Sequence, residues 1–361
     1  MLRNIVIVIL SVCSLTAVAE NDSIPRQRTF GRKVLDGVVG VLKEFNNFDT
    51  TYIEPQHYKF TASLMSTYSF EQYSIRSKSG QEVTFAPESR FKVGPYIGWS
   101  LLFWGYTFDL GYIPSKTRRQ LSLSGYTTML GFDFFWRRTG GEYMIRSWNS
   151  GSDKATELGG VPFEGLDVSI TGLNVYYIFN HRKFSYPAAF NQSTCQRKSA
   201  GSLMLGAGYT RHSLHLDHRK LQETLDDAMP DITVEVDSGM MFDKIKYTDL
   251  SLSLGYGYNW VPARNWLFSA SLSAAIGYKH SSGSSAKGLP LFNDFSLSNF
   301  NVDGVGRVGF IWNDSKWYFG SYGVVHTYNY SKSQFKTNNY FGNVYVYVGV
   351  NFGRKKSHKQ Q

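Results

Sequence analysis

The stretch NVYVYVGVNF, Asn343 to Phe352, decides how the chain is read. Val344, Val346, Val348, Val350 and Phe352 take every second position; Asn343, Tyr345, Tyr347, Gly349 and Asn351 take the others. Successive side chains on a strand point to opposite faces, so this run has one apolar face and one polar or small face. A last alternating strand that ends on an aromatic is a signature of an outer-membrane β-barrel. It predicts that the rest of the chain repeats the pattern.

The repeat is clearest just upstream. Leu250, Leu252, Leu254, Tyr256, Tyr258 and Trp260 alternate with Asp249, Ser251, Ser253, Gly255, Gly257 and Asn259. After the tight connection at 261–264, Phe268, Ala270, Leu272, Ala274, Ile276 and Tyr278 alternate with Ser269, Ser271, Ser273, Ala275, Gly277 and Lys279. Alternation alone also fits a soluble barrel or sandwich with its apolar face inward. The polar face discriminates between them. A solvated outer face would carry Lys and Glu, whereas Ser, Gly, Ala and Asn suit a confined lumen, and Trp or Tyr at strand ends suits an interfacial belt.

Composition agrees. Aromatic residues make up 16% of the chain and charged ones only 18%, below the roughly 25% of an ordinary soluble domain. Residues 1–19 read as a secretory signal, with Arg3 before an apolar run from Ile5 to Leu15 and Ala17-Val18-Ala19 before Glu20. Cys13 follows Val12, a poor lipobox residue, and processing leaves Cys195 without an intramolecular disulfide partner. Beyond the signal no apolar run approaches the ~18 residues that a membrane helix needs. The net charge of +10 favours anionic neighbours such as lipopolysaccharide; nucleic acid is not among the expected partners.

Four segments follow: the signal at 1–19, an N-terminal segment at 20–57, a barrel at 58–353 and a basic tail at 354–361. In the second, Phe30, Val34, Val38, Val41, Leu42 and Phe45 fall at helical spacing. Further strands are expected from Phe60 to Phe70, Phe91 to Trp99, Leu102 to Tyr112, Arg119 to Trp136 (bulged near Gly125), Tyr143 to Trp148, Leu166 to Phe179 and Ser199 to His212. Phe300 to Trp312 and Trp317 to Tyr330 add a pair. The fold class is therefore all-β: a transmembrane antiparallel barrel of about twelve strands with a short N-terminal amphipathic helix.

Connection lengths supply a topology. Short links are expected in the periplasm near 100–102, 138–141, 261–264 and 313–315. Long external loops are expected near 77–89, 113–118, 149–165, 213–246, 281–298 and 331–339. Residues 181–198 are too long for a periplasmic turn and are expected to hide structure or fold into the lumen. With residues 21–57 they form a candidate plug; the rival reading rests the N-terminal helix on the inner leaflet.

FDTTYIEPQHYKF (Phe48–Phe60), GPYIGWSLLFWGYTFDLGY (Gly94–Tyr112), FSYPAAFNQSTCQRKSAGSLMLG (Phe184–Gly206) and LSLGYGYNWVPARNWLFSASL (Leu252–Leu272) together resemble a Bacteroidetes family, domain of unknown function 4421. The resemblance implies an outer-membrane barrel of a Gram-negative bacterium. It brings no activity, cofactor or catalytic residue with it.

The residues offer little chemistry of their own. His212, His215 and His218 beside Asp217 are weak metal candidates, because on a helix only two of them share a face. The acidic loop around them lacks the spacing of a calcium site. His280 and Ser282 form a His-x-Ser pair at a strand end, the one enzyme clue, with no orienting third group assignable. The lumen-lining candidates are Arg90, Lys92, Tyr96, Asp109, Asp249, Lys279 and Arg307. Such charges either pair to fill the barrel or form a ring that selects solutes. No catalytic residue, metal ligand or cofactor is assigned. The expected function is a small-solute channel or facilitator, with a structural or adhesion barrel and a lipid-acting hydrolase as alternatives. Expected partners are outer-membrane lipids, lipopolysaccharide, a possible small solute and the barrel-assembly machinery reading the C-terminal strand.

Overall fold

The computed structural model describes residues 47–99, 102–105, 108–109, 118–152, 154–281, 300–331 and 335–355. The signal, the predicted N-terminal helix, Ser282 and most of the basic tail lie outside these residues.

A three-residue strand β1 (Ile53–Pro55) precedes β2 (Tyr58–Ser77), β3 (Gln81–Pro87) and β4 (Arg90–Trp99). Two short pieces, β5 (Leu102–Gly105) and β6 (Phe108–Asp109), lead to β7 (Arg119–Tyr126), β8 (Leu130–Gly140), β9 (Tyr143–Ser150), β10 (Thr156–Phe163) and β11 (Leu166–Ile178). A buried helical turn α1 (Tyr186–Phe190) and β12 (Thr194–Gln196) follow, then β13 (Ala200–Leu216) and helix α2 (His218–Ala228). The second half is β14 (Lys244–Trp260), β15 (Trp266–Ser281), β16 (Phe300–Asn313), β17 (Trp317–Ser331) and β18 (Phe335–Arg354).

One antiparallel sheet runs in the order β10-β9-β3-β2-β18-β17-β16-β15-β14-β13-β11-β8-β7, with β4 also on β2 and β5 and β6 on β4. It curls. Side chains from distant strands meet inside it: Arg307 of β16 pairs with Asp133 of β8, and Phe135 of β8 lies 5.4 Å from Phe341 of β18. The two arms of the curl also approach one another, since Gln120 Nε2 of β7 donates to Ser69 Oγ of β2 at 3.3 Å.

In the half of the wall nearer 261–265 the outer face is the apolar one, whereas towards α2 apolar residues such as Ile75, Ile170 and Leu214 face inward. Leu252, Leu254, Leu272, Ile276, Val346 and Val348 are all more than half exposed, while Asp249, Asn259, Ser269 and Lys279 on the opposite parity are 2% exposed or less. This inverts a soluble sheet, in which apolar residues go inside. The register is unbroken over long spans, with Thr248–Trp260 opposite Phe268–His280 residue for residue, so the parity holds along each strand.

Five expectations need correction. The span from Arg119 to Trp136 is not one bulged strand but a hairpin, β7 and β8, turning at 127–129. Thr127 Oγ1 takes the Leu130 N–H at 2.9 Å there. The predicted turn at 138–141 is instead a kink at Gly141, whose φ of 64° suits glycine, between β8 and β9. Residues 335–339, expected in a loop, belong to β18. The expected loops at 77–89 and 149–165 likewise carry strands β3 and β10, which with the expected strand β9 lengthen the wall beyond the β2–β18 belt.

Candidate functional site: a filled interior

The interior is built in tiers. At the end bearing 261–265 and 314–316, called here the lower end, residues 181–198 fold inward. Ser185 caps α1 by accepting the Ala188 N–H, and Pro187 opens the turn with its fixed φ and missing N–H. All five residues of α1 are buried. Tyr186 lies 5.6 Å from Tyr126 of β7 and 5.8 Å from Tyr176 of β11, and its hydroxyl donates to Ser271 Oγ of β15 at 2.7 Å. Phe190 reaches Tyr322 of β17 at 5.7 Å, and Gln192 Nε2 donates to the Tyr347 hydroxyl of β18 at 2.7 Å. One short segment thus touches strands all round the curl. Glycine makes the room: a Cβ at Gly257 would stand 2.9 Å from Phe184 Cζ.

The segment is tied down from below. β1 pairs with β12, matching Glu54 to Cys195. Glu54 bonds His57 Nε2 at 2.8 Å and the Ser315 hydroxyl at 2.9 Å and pairs with Arg197, whose NH1 donates to Asn265 Oδ1 at 2.6 Å. Burial works against the Glu54 carboxylate, but the bonds from Ser315, His57 and Arg197 together outweigh it and hold its pKa below the ordinary value. Burial pushes the Cys195 thiol up to about 11, which disfavours its thiolate. The described non-glycine residues with positive φ, Gln192, Asn265 and Ser315, all sit in this knot. Each left-handed residue costs on the order of 1 kcal/mol or more, which the surrounding bonds must offset.

The middle tier is charged. Arg307 pairs with Asp133 and lies 5.6 Å over the Tyr176 ring. Lys279 Nζ donates to Asp303 Oδ1 at 3.0 Å and to the Asn329 carbonyl. Between them lies a cavity of about 40 Å³, lined in part by Ser251, Ser253, Ser273, Asn174, Asp303 and Arg307. That is room for about three waters. Asp303 Oδ2 and Arg307 Nε, which border it, have no hydrogen-bond partner among the described residues.

The upper tier is aromatic. Tyr247 stacks on Tyr330 at 4.2 Å and on His212 at 4.7 Å, and Arg137 lies 4.5 Å over the Phe341 ring. Glu71 is buried, where it accepts from the Tyr143 hydroxyl at 2.6 Å. Above it α2 forms a cap. Asp217 takes the N–H groups of Arg219 and Lys220, and Leu221 and Leu225, one turn apart, are buried with Met229, Val234, Val236 and Met240. The cap is fastened by Gln81, which bonds the backbone at Glu235 and Asp237, both at 2.8 Å, and by Phe242 stacked on Phe335 at 4.7 Å.

The sequence-predicted residues divide accordingly. Asp249, Lys279 and Arg307 are buried in the middle tier. Arg90, Lys92 and Tyr96 are half-buried along β4, with Arg90 paired to Glu142 at 3.0 Å. Asp109 is described only through its backbone pairing with Lys92. His212 is buried, His215 exposed and His218 sits 3.9 Å from Asp243, so the three do not converge. Strand spacing of three puts the first two on opposite faces. No group of three or more metal-ligating side chains occurs among the described residues. His280 is half-buried, and its Ser282 partner lies outside the described residues. Sequence reasoning missed the inward aromatics. Their signal was present, because Tyr345 and Tyr347 already stand on the polar parity of the last strand.

Solved structures with related shapes include the outer membrane protease OmpT of Escherichia coli, 10% identical, covering 85% of this chain and 100% of its own, with a TM-score of 0.37. The transport unit of the autotransporter AIDA-I of Escherichia coli is 12% identical over 82% of this chain and 90% of its own, TM-score 0.30. The toluene transporter TodX of P. putida is 9% identical over 82% and 91%, TM-score 0.25. At these scores no property of theirs transfers to this chain. A comparison with curated protein sequences gave no match. One family model covers residues 47–352, nearly the whole described chain. The chain belongs to that family, the domain of unknown function DUF4421.

Proposed function

We propose that the chain is a twelve-stranded outer-membrane β-barrel of a Gram-negative bacterium, sealed at rest and non-catalytic, with a structural or surface-interaction role. The twelve are β2, β4, β5 and β6 counted together as one, β7, β8, β11 and β13 to β18. Closure requires β5 and β6 to meet β7, and the Gln120–Ser69 bond across that gap supports it. Membrane embedding is supported by the apolar outward residues in the half of the wall nearer 261–265, such as Leu64, Leu173, Leu205, Leu252, Leu272, Val308 and Val348. Lipid tails tolerate that face, and a closed barrel leaves no strand edge unpaired in them.

One observation carries the functional reading: α1 and the Asp133–Arg307 pair occupy the lumen from wall to wall. That moves the small-solute channel behind the structural role. The channel remains the second reading, as a gated one, because the polar-lined cavity and the strained knot at Gln192, Asn265 and Ser315 give a displaceable plug a site and a hinge. Planar-bilayer recording separates the two. A sealed barrel gives a silent wild type and steady conductance once 184–196 are replaced by a short Gly-Ser link. Steady conductance of the wild type would sink the sealed reading; solute- or voltage-evoked openings would establish the gated one. Lipopolysaccharide and, through β18, the assembly machinery are the remaining proposed partners.

A further inference from the structure

At the lower rim, exposed or half-buried aromatics and unpaired cations are layered in order. On the outer wall Trp266 lies 5.0 Å from Phe310 and 5.8 Å from Phe319, Trp312 lies 5.3 Å from Phe319, and Phe60 lies 5.6 Å from Phe352. Directly below, at the strand ends, stand Arg264 in the β14–β15 turn, Lys316 in the β16–β17 turn, Arg354 ending β18 and Lys59 opening β2. All four are exposed. Strands β14 to β18 and β2 are consecutive neighbours in the sheet, so the four cations form an arc.

None of the four has an ion pair among the described residues. The acid on the arc, Asp314, is engaged locally: its Oδ1 accepts the backbone N–H groups of Lys316 and Trp317 at 2.9 and 2.6 Å. The lysines nearer the axis differ, since Lys183 and Lys198 lie 5.1 and 5.3 Å over the Tyr52 ring. The unsatisfied charge is therefore on the rim, beside the apolar wall.

A soluble polyanion would meet the cations but leave the aromatic wall uncovered. A zwitterionic lipid would cover the wall without neutralising the arc. A ligand with a phosphate-centred negative head and two acyl chains satisfies both layers at once. We propose that this patch binds an anionic glycerophospholipid of the inner leaflet, its headgroup on Arg264, Lys316, Arg354 and Lys59 and its chains along Trp266, Phe310 and Phe319. The inference rests on the membrane reading above. Lys and Arg beside an anionic surface attract it over a Debye length, and salt weakens that attraction.

Lipid association is measured on the full mature barrel reconstituted in phosphatidylcholine vesicles with increasing phosphatidylglycerol, using spin-labelled lipids of each kind. The expected result is a preference of about fivefold or more for the phosphatidylglycerol label, falling in 1 M salt. In the K59Q/R264Q/K316Q/R354Q variant the preference falls towards one, and in K183Q/K198Q it stays. An inserted wild type without preference overturns the proposal, as does a preference insensitive to salt, a measurement that needs no variant. Polyglutamate binding without lipid preference also overturns it, in favour of a soluble polyanion. Failure of the wild type to enter bilayers overturns the membrane reading and this inference with it.

Discussion

Asp133 and Arg307 meet across the lumen from strands β8 and β16, each 7% exposed or less. Two buried opposite charges at contact offset much of their desolvation, but either one alone does not. Arg307→Ala therefore destabilises the fold by about 3–5 kcal/mol, because it leaves Asp133 buried and unpaired. Asp133→Leu/Arg307→Met recovers most of that loss. Urea unfolding in detergent micelles reads both, and a double variant as weak as the single one would count against the ion-pair account. Glu54 makes a pH prediction. Its folded pKa lies below the ordinary 4.5, so its stabilising contribution is present above that pH and is lost as pH falls through the folded value. Hydrogen exchange of residues 184–196, referenced to the unfolded peptide at each pH, should rise below about pH 4.5. In Glu54→Gln that exchange is already raised at neutral pH and gains little on acidification; a wild-type acid response kept intact in this variant would show that Glu54 is not the group responsible.

At the scale of elements, the plug sits where β14 and β15 are reduced to Gly and Ser. The fit at Gly257 is close, with Phe184 Cζ 2.9 Å from where a Cβ would stand. Gly257→Val leaves the strand pattern intact, valine being at home in a sheet, but pushes methyl groups into the Phe184 ring. The expected outcome is a folded barrel whose plug is unseated, seen as conductance bursts that the wild type lacks. A silent, stable Gly257→Val barrel would mean that the plug tolerates displacement of Phe184 without opening. Helix α2 is the matching element at the other end. Its buried Leu221 and Leu225 join the same hydrophobic cluster as Tyr73, Ile75 and Phe85 of the wall, so the cap is packed onto the strands and is not a loose loop.

For the whole molecule, closure and topology are the quantities to measure. A closed barrel resists SDS until heated, so unheated protein should run faster than boiled protein on a gel; identical mobility would argue for an open sheet. In the topology that puts the short turns in the periplasm, a cysteine at exposed Asp231 in the cap should label on intact cells. One at exposed Lys316 should label only after the outer membrane is permeabilised. The reverse pattern would invert the assignment of cap and plug.

What the sequence by itself determined was the class of wall and its polarity. Strand period two is a local property, so Asn343–Phe352 and Asp249–Trp260 could be assigned an apolar outer and a polar inner face without knowing any partner. It also marked 181–198 as anomalous, because a link of that length needs an explanation. Only the tertiary structure decided what fills the lumen. Asp133 and Arg307 are 174 positions apart, and their meeting depends on the register of every strand between them. The hairpin at 127–129 was hidden for a related reason: the outward positions slip from odd (Leu121, Leu123) to even (Phe132) across it, which a bulge would also produce, and the tight turn closed by Thr127 and Leu130 contains no Gly or Pro to mark it. The small residues of β14 and β15 read locally as an open lumen. They became a seat for Phe184 and Tyr186 because a short inlet, spliced between β11 and β13, had nowhere apolar to go but inside.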